Sequence, residues 1–85
     1  MIVTYADEFK KQFIHLPQRI KDAYRVQEDI LKINVFDTRL HAKPLKNYDG
    51  LFSFRVTRAY RVLFRISENT IVICLTISHR KDAHR

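Results

Sequence analysis

The sequence is short of the residues that interrupt or cross-link a chain. It has one glycine, two prolines and a single cysteine, and it has no tryptophan. So little Gly and Pro argues against a disordered or low-complexity chain, and the lone Cys74 leaves no internal disulfide to form. A reducing, cytoplasmic location is therefore the expected one.

Long apolar runs are also missing. No stretch approaches the roughly 20 apolar residues that cross a bilayer, and the opening "MIVTYADEFKK" begins apolar and then turns acidic, unlike a signal peptide. We therefore expect no membrane partner. The 85 residues are enough for one domain with a thin core, so a single domain over 1–85 is predicted.

Acidic residues become scarce along the chain. Residues 1–38 hold six Lys/Arg and six Asp/Glu, whereas residues 39–85 hold ten and three, so the whole net charge of +7 arises in the second part. A basic asymmetry of this size favours a polyanionic partner, either nucleic acid or an acidic protein. A surface kept basic for solubility is the alternative.

Apolar spacing in the first part predicts a strand followed by two helices. "MIVTY" is a β-branched opening, and Asp7 is expected to cap a helix over 8–15. Pro17 suits the first turn of a second helix that runs to Ile33. The near-direct junction between them indicates a helical hairpin.

The second part predicts strands. A connecting segment over 34–50, with a short strand near 43–48, precedes three further strands at about 52–57, 60–66 and 71–78. This order indicates an α+β domain, with the N-terminal strand and the helical hairpin packed on one face of a mainly antiparallel sheet.

Alternation also predicts how the strands pair. The apolar sets of 52–57 and 60–66 match across an odd-length loop, and "TRA", residues 57–59, supplies a three-residue hairpin. The same reasoning joins 60–66 to 71–78 through "SENT" and pairs Ile66 with Ile71. It leaves Leu63, Val72 and Cys74 on the face away from the helices. An apolar strip there would suit a partner segment.

The hairpin sets Arg55 opposite Arg61 on that same face, and Arg65 follows further along the strand. Like charges directly opposite each other cost a few tenths to about 1 kcal/mol. The guanidinium groups either splay into water at little cost or hold an anion between them. We favour the anion, because arginine is well shaped for bidentate contact with phosphate.

Three segments, "LHAKPLKNYDGLFSFRV", "RAYRVLFRI" and the terminal "ISHRKDAHR", resemble the RelE/ParE toxin superfamily of type II toxin–antitoxin systems. With "FKKQFIHLP", the resemblance covers nearly the whole chain. It implies a RelE-like fold and a cognate antitoxin partner, with operator DNA bound only indirectly through the antitoxin.

Two branches of the superfamily differ in activity. Members similar to RelE are endoribonucleases that cut mRNA, commonly on the ribosome, whereas the ParE branch poisons DNA gyrase. We favour the RelE-like branch, a toxin that cleaves mRNA. A gyrase inhibitor and an inactive antitoxin-binding module remain the alternatives.

The resemblance also implies a site that works without metal or other cofactor. A base takes the proton from a 2′-OH, cations stabilise the phosphorane, and an acid protonates the leaving 5′-oxygen. By motif, Arg61 of "AYRVLF" and Arg80 of "HRKD" match basic residues of the family, and Arg55 lies where RelE has a lysine. Ser53 lies where RelE has another lysine, so one basic group is missing.

The terminal segment departs from the family pattern at His84, where relatives usually have Tyr. A histidine can exchange protons near neutral pH, or it can mark a variant with little or no activity. The catalytic candidates are thus Arg55, Arg61, Arg80 and His84, and the RNA-binding candidates are Lys43, Lys46, Arg58, Arg65 and Lys81. A metal site from Cys74, His79 and His84 has poor spacing and is not expected.

Overall fold

The computed structural model describes residues 1–81. Within them the chain forms five strands, two α-helices and one 3-10 turn. These are β1 (Ile2–Tyr5), α1 (Asp7–Ile14), α2 (Gln18–Ile33), the 3-10 turn (Thr38–Leu40), β2 (Lys43–Pro44), β3 (Phe52–Arg55), β4 (Tyr60–Ser67) and β5 (Ile71–His79). No helix in this range combines the length and the hydropathy that crossing a bilayer would take.

The helical hairpin is confirmed, with one difference at its start. Ala6 is the N-cap of α1, and no side chain caps the helix, so Asp7 is its first residue rather than its cap. The Asp7 carboxylate still lies beside the positive end of the helix dipole, where negative charge is favourable. Pro17 is the N-cap of α2 and precedes its first turn, so it lies one position before the predicted one; its fixed φ and missing N–H allow this place as well.

The sheet is mixed but mostly antiparallel, and its strand order is β1-β5-β4-β3-β2. The first strand pairs in parallel with the last, with Val3 beside Val72, while the other three pairings are antiparallel. This order places β5, β4 and β3 inside the sheet, so each of them pairs with a neighbouring strand along both edges.

The core lies between the helices and one face of the sheet. Phe54, Val62 and Phe64 are almost fully buried there, and the Phe54 ring stacks on Tyr24 of α2 with centroids 6.3 Å apart. Ile20 and Leu31 complete the helical side of the same cluster. The predicted α+β architecture, with the helices on one sheet face, is therefore confirmed.

The hairpin between β3 and β4 has the predicted register. Phe54 pairs with Val62 and Arg55 pairs with Arg61, and the N–H of Val56 donates to the carbonyl of Tyr60 across residues 57–59 (2.9 Å). Because the side chains of a strand alternate between faces, burial of Phe54 and Val62 directs both arginines to the face away from the helices.

The predicted register between β4 and β5 is wrong. Glu68 and Asn69 both take left-handed backbone conformations (φ 54° and 59°), so the connection is tighter and Ser67, not Ile66, pairs with Ile71. Val72 and Cys74 are consequently buried in the core and do not lie on the arginine face. The predicted apolar strip on the arginine face is therefore also wrong, because two of its three members face the helices.

A bulge then returns the residues of β5 to the predicted faces further along the strand. Leu63 pairs with Thr76 and Phe64 pairs with Cys74, which leaves Leu75 as an extra residue on β5. Such a residue shifts the parity of the strand by one. Ile77 therefore returns to the core opposite Val62, and Ser78 lies opposite Arg61 on the arginine face.

Candidate functional site

The tip of the β3–β4 hairpin holds the arginine pair in place. The Thr57 hydroxyl oxygen accepts hydrogen bonds from the N–H groups of Ala59 (3.1 Å) and Tyr60 (3.2 Å), which fixes the turn. From the helical layer, the Gln27 amide donates to the carbonyl of Arg55 (2.8 Å). These bonds fix the backbone of the turn that joins Arg55 to Arg61, and both arginines are partly buried.

The residue after β5 joins this pair through one long-range contact. The N–H of Arg80 donates to the carbonyl of Ala59 at 2.6 Å, which ties the end of β5 to the hairpin turn. A hollow of about 530 Å³ results, and Arg55, Arg61 and Arg80 all line it, together with Arg58 and Lys81. Three of the four catalytic candidates thus meet in one place, and His84 lies outside the described residues.

A second group of cations approaches from β2. Lys43 pairs with Ser53 across the β2–β3 ladder, and it lines a hollow of about 290 Å³ with Arg55 and Arg61. A third hollow of about 380 Å³ adds Lys46 and the loop that follows it. Among residues 1–81, Arg61 alone lines all three hollows, so it lies at their junction.

We call the cations that line these hollows the basic surface. No Asp or Glu of the described chain lines any of the three hollows, and the ion pairs found in that range lie elsewhere, on α2 and beside the 3-10 turn. Repulsion among the cations is therefore left for solvent or a bound anion to relieve. The basic surface consists of seven residues: Lys43, Lys46, Arg55, Arg58, Arg61, Arg80 and Lys81.

One RNA-binding candidate lies apart from this group. Arg65 is exposed and pairs with Ile73, four residues along β4 from Arg61, which corresponds to about 13 Å of strand. It lines none of the three hollows. Arg65 shares the face of the arginine pair but not its immediate surroundings, so its contact with RNA stays a prediction.

Two histidines that are not among the site candidates share hollows with the arginine pair. His79 is the last residue of β5 and lines the hollow of Arg80, and His41 lines the hollow of Lys43. The Nδ1 atom of His79 accepts a hydrogen bond from the N–H of Lys81 (3.2 Å), and its ring packs edge-on against Tyr60, with centroids 5.4 Å apart. The alternation of β5 does not predict the position of His79, because the bulge at Leu75 shifts the parity of the strand.

Cys74 takes no part in the basic surface. Its thiol lies in the core, 3.6 Å from the Tyr24 hydroxyl, and burial raises the pKa of Cys74 to about 11. The thiolate, which is the nucleophilic form, is therefore disfavoured. In the part of the chain described here, no three His, Cys, Asp or Glu side chains gather as a metal site would need.

Comparisons with known proteins identify a family and several structures to which the chain is similar. The family model of the ParE-like toxin domain matches residues 25–81. A search of curated proteins gave no match. Among solved structures, the chain is similar to the toxin–antitoxin complex RelBE2 from Mycobacterium tuberculosis, with 30% identity over 93% of this chain and 96% of that chain and a TM-score of 0.78.

Two more distant structures share the fold. The RelB–RelE antitoxin–toxin complex from Methanococcus jannaschii matches at 23% identity, covering 95% of this chain and 94% of that chain, with a TM-score of 0.78. The YoeB/ParE toxin from Agrobacterium tumefaciens matches at 16% identity, covering 94% and 99%, with a TM-score of 0.79.

The fold and the family match together define a small toxin of the type II toxin–antitoxin class. More than half of the chain matches the family model, and the mycobacterial relative extends the likeness to nearly all of it. The chain belongs to the ParE-like toxin domain family, and with it to the RelE/ParE toxin superfamily.

Proposed function

We propose that this toxin is an endoribonuclease that cleaves mRNA, with the translating ribosome as the place of action. The observation that carries the proposal is the basic surface: six Lys and Arg share hollows with Arg61, and no acidic side chain of the described chain lines the same hollows. Such a surface suits a chain of phosphates, and RNA brings the 2′-OH that can attack one of them.

In the proposed reaction the attacking group comes from the substrate. The 2′-oxygen forms a bond to the adjacent phosphorus as its proton passes to a base, and the bond to the 5′-oxygen breaks as that oxygen takes a proton from an acid. The products are a 2′,3′-cyclic phosphate and a 5′-hydroxyl. The protein supplies proton carriers and the positive charge that stabilises the phosphorane.

Each arginine has a role in stabilising the phosphorane that follows from its position in the hollows. Arg61 lies at the junction of the hollows and contacts the scissile phosphate, while Arg55 and Arg80 flank it in the larger hollow. Guanidinium groups suit this task because they donate two parallel hydrogen bonds to phosphate oxygens. Arg58, Lys46 and Lys81 hold neighbouring phosphates, which positions the strand without reading its sequence.

Lys43 has a further part in this proposal. RelE has a lysine at the position of Ser53, so this chain lacks one basic group on β3. Lys43 lies directly opposite Ser53 on the neighbouring strand. Both residues line the hollow of Arg55 and Arg61. A lysine from β2 can therefore supply to this hollow the charge that β3 lacks.

Histidine is the proposed proton carrier. His84 takes this role by its place in the terminal motif. His79 is the second candidate, because it lines the hollow of Arg55, Arg61 and Arg80 and its Nδ1 atom accepts a hydrogen bond from Lys81, which leaves Nε2 to carry or donate a proton.

The test uses an in-vitro translation reaction. Wild-type protein is expected to cut the mRNA, Arg61→Ala to be inactive, and His84→Ala and His79→Ala to be slowed according to which histidine moves the proton. Arg25→Ala is the matched control, because Arg25 is an exposed helix arginine paired with Asp22. Intact mRNA with wild-type protein would overturn the proposal.

A second activity is favoured by the family match, whose model is that of a ParE-like toxin. A ParE-like gyrase inhibitor would use the basic surface for protein contact and would involve no RNA chemistry. Loss of gyrase supercoiling beside intact mRNA would select this activity. Antitoxin binding with neither effect would identify an inactive toxin-like module.

The proposed protein partner is a cognate antitoxin, which would also bring the toxin indirectly to operator DNA. The similar structures from Mycobacterium tuberculosis and Methanococcus jannaschii are toxin–antitoxin complexes. Expression with and without the product of the neighbouring open reading frame tests this partner. Growth arrest that the second protein does not relieve would argue against it.

A further inference from the structure

The loop between β2 and β3 presents an exposed aromatic ring beside the basic surface. The loop closes on itself, because the N–H of Leu45 donates to the carbonyl of Leu51 (2.9 Å) and the N–H of Leu51 donates to the carbonyl of Tyr48 (3.3 Å). Asn47 and Gly50 take left-handed backbone conformations (φ 68° and 74°) that make the turn possible. Tyr48 therefore projects from a defined turn, and it is 63% exposed.

The surroundings of this ring are cationic. Tyr48 lines the hollow of about 380 Å³ together with Lys43, Lys46 and Arg61. Arg61 is also the residue that the proposed function places on the scissile phosphate. A ligand that reached from Arg61 to Tyr48 would present negative charge at one end and a flat face at the other.

Phe36 shows that exposure alone does not create this setting. It is 61% exposed, but the residues around its hollow are largely apolar, such as Ile33 and Ile66, and no Lys or Arg of the described chain lines it. The Phe36 ring also packs edge-on against Phe52. Tyr48 and Phe36 therefore form a matched pair, with similar exposure but with cationic side chains lining the hollow of Tyr48 alone.

We propose that Tyr48 is a stacking platform for an unpaired RNA base whose neighbouring phosphate lies on Arg61. This inference rests on the proposed function, since it names a base subsite for the same substrate. Single-stranded RNA is commonly bound by stacking its bases on aromatic rings while cations track its backbone. A protein partner would more often meet a ring with an apolar surround, as Phe36 has.

The absence of tryptophan from the sequence gives a clean probe. Tyr48→Trp and Phe36→Trp each introduce the sole Trp of the chain, and each variant is titrated with a single-stranded oligoribonucleotide whose 2′-O-methyl groups block cleavage. Fluorescence of Trp at position 48 is expected to be quenched as the base stacks. Fluorescence of Trp at position 36 is expected to stay unchanged.

Affinity gives the second measurement. Stacking of a base on an aromatic ring contributes about 1–3 kcal/mol, so Tyr48→Ala is expected to raise Kd by about 5- to 150-fold, whereas Tyr48→Phe and Phe36→Ala stay within about twofold of wild type. An abasic oligonucleotide of equal charge should bind wild type and Tyr48→Ala alike. Circular dichroism of each variant checks that the fold is kept.

The outcomes separate this inference from the proposed function. Failure of wild-type protein to cut mRNA removes both. Wild-type cleavage with unchanged binding by Tyr48→Ala and no quenching at position 48 overturns the inference alone, and so does a Tyr48→Ala variant that loses antitoxin binding but keeps RNA binding. If wild type engages RNA only on the ribosome, the same variants are compared by cleavage rate there, with the same factors expected.

Discussion

Replacement of Arg61 tests whether the basic surface acts as one binding site for single-stranded RNA. Each phosphate contact with a single strand contributes about −0.7 to the slope of log K against log salt. If all seven cations that line the hollows contact phosphates, the slope is about −5. Raising the salt from 50 to 200 mM would then weaken binding about a thousandfold.

Arg61→Ala should change both quantities that the salt titration measures. The slope should become shallower by about 0.7. Affinity at fixed salt should fall by roughly 10- to 150-fold, because a hydrogen bond to a charged group contributes about 1.5–3 kcal/mol. Arg58→Ala, at the hairpin tip, should lose less, since Arg58 lines one hollow whereas Arg61 lines three.

The assay is fluorescence anisotropy of a labelled, 2′-O-methylated oligoribonucleotide, repeated across the salt range for wild type and each variant. Arg25→Ala is the control, because it removes one positive charge from α2 without touching the basic surface. Equal losses for Arg25→Ala and Arg61→Ala, or a wild-type slope near −1, would refute the reasoning. Equal losses would mean that net charge, and not the arrangement around Arg61, attracts RNA. A slope near −1 would mean that only one or two of the seven cations contact phosphates.

Three further predictions concern the fold that supports the site. Burial raises the pKa of Cys74 from its ordinary value near 9 to about 11, so this thiol contributes stability fully below pH 9 and loses it as pH rises to 11. The difference in unfolding free energy between wild type and Cys74→Ala should shrink over that range by about 2–3 kcal/mol in urea titrations; a constant difference would contradict this. Thr57→Val removes two hydrogen bonds of the hairpin turn and should cost about 1–2 kcal/mol and weaken RNA binding, whereas Thr38→Val should do neither. Phe54→Ala should cost about 3–5 kcal/mol in the same unfolding assay, and a loss below 1 kcal/mol would mean that this residue does not anchor the core.

The arginine pair could be predicted from sequence because its strands carry strict alternation. Phe52 and Phe54 match Val62 and Phe64 only across an odd turn, and a slip by one residue would expose the whole apolar set. The predicted pairing of Arg55 with Arg61 is confirmed for that reason. Local pattern was sufficient where each strand has a single buried face.

The register of β5 could not be predicted in the same way. Residues 71–75, "IVICL", are apolar without interruption, so the residues that face the helices cannot be told from those that face away. Such a run fits either parity. The register of β5 is set by the tight turn at Glu68 and Asn69 and by the extra residue Leu75. Neither feature can be read from the alternation of apolar and polar residues.

Beyond the opposition of Arg55 and Arg61, the arrangement of the candidate site could not be predicted from the sequence. The contact that brings Arg80 to the hairpin turn joins backbone atoms 21 positions apart in the chain, and the opposition of Lys43 and Ser53 depends on a two-residue strand. The presence of Tyr48 and His79 beside the arginines follows from these same placements. Long-range pairing of this kind leaves little trace in local sequence.

The most direct test of the central claim is the chemistry of the RNA ends. Messenger RNA from a translation reaction with wild-type toxin is expected to yield downstream fragments that begin with a 5′-hydroxyl and upstream fragments that end in a 2′,3′-cyclic phosphate. Arg61→Ala should yield neither, and Arg25→Ala should match wild type. Intact mRNA, or fragments that begin with a 5′-phosphate, would contradict the account.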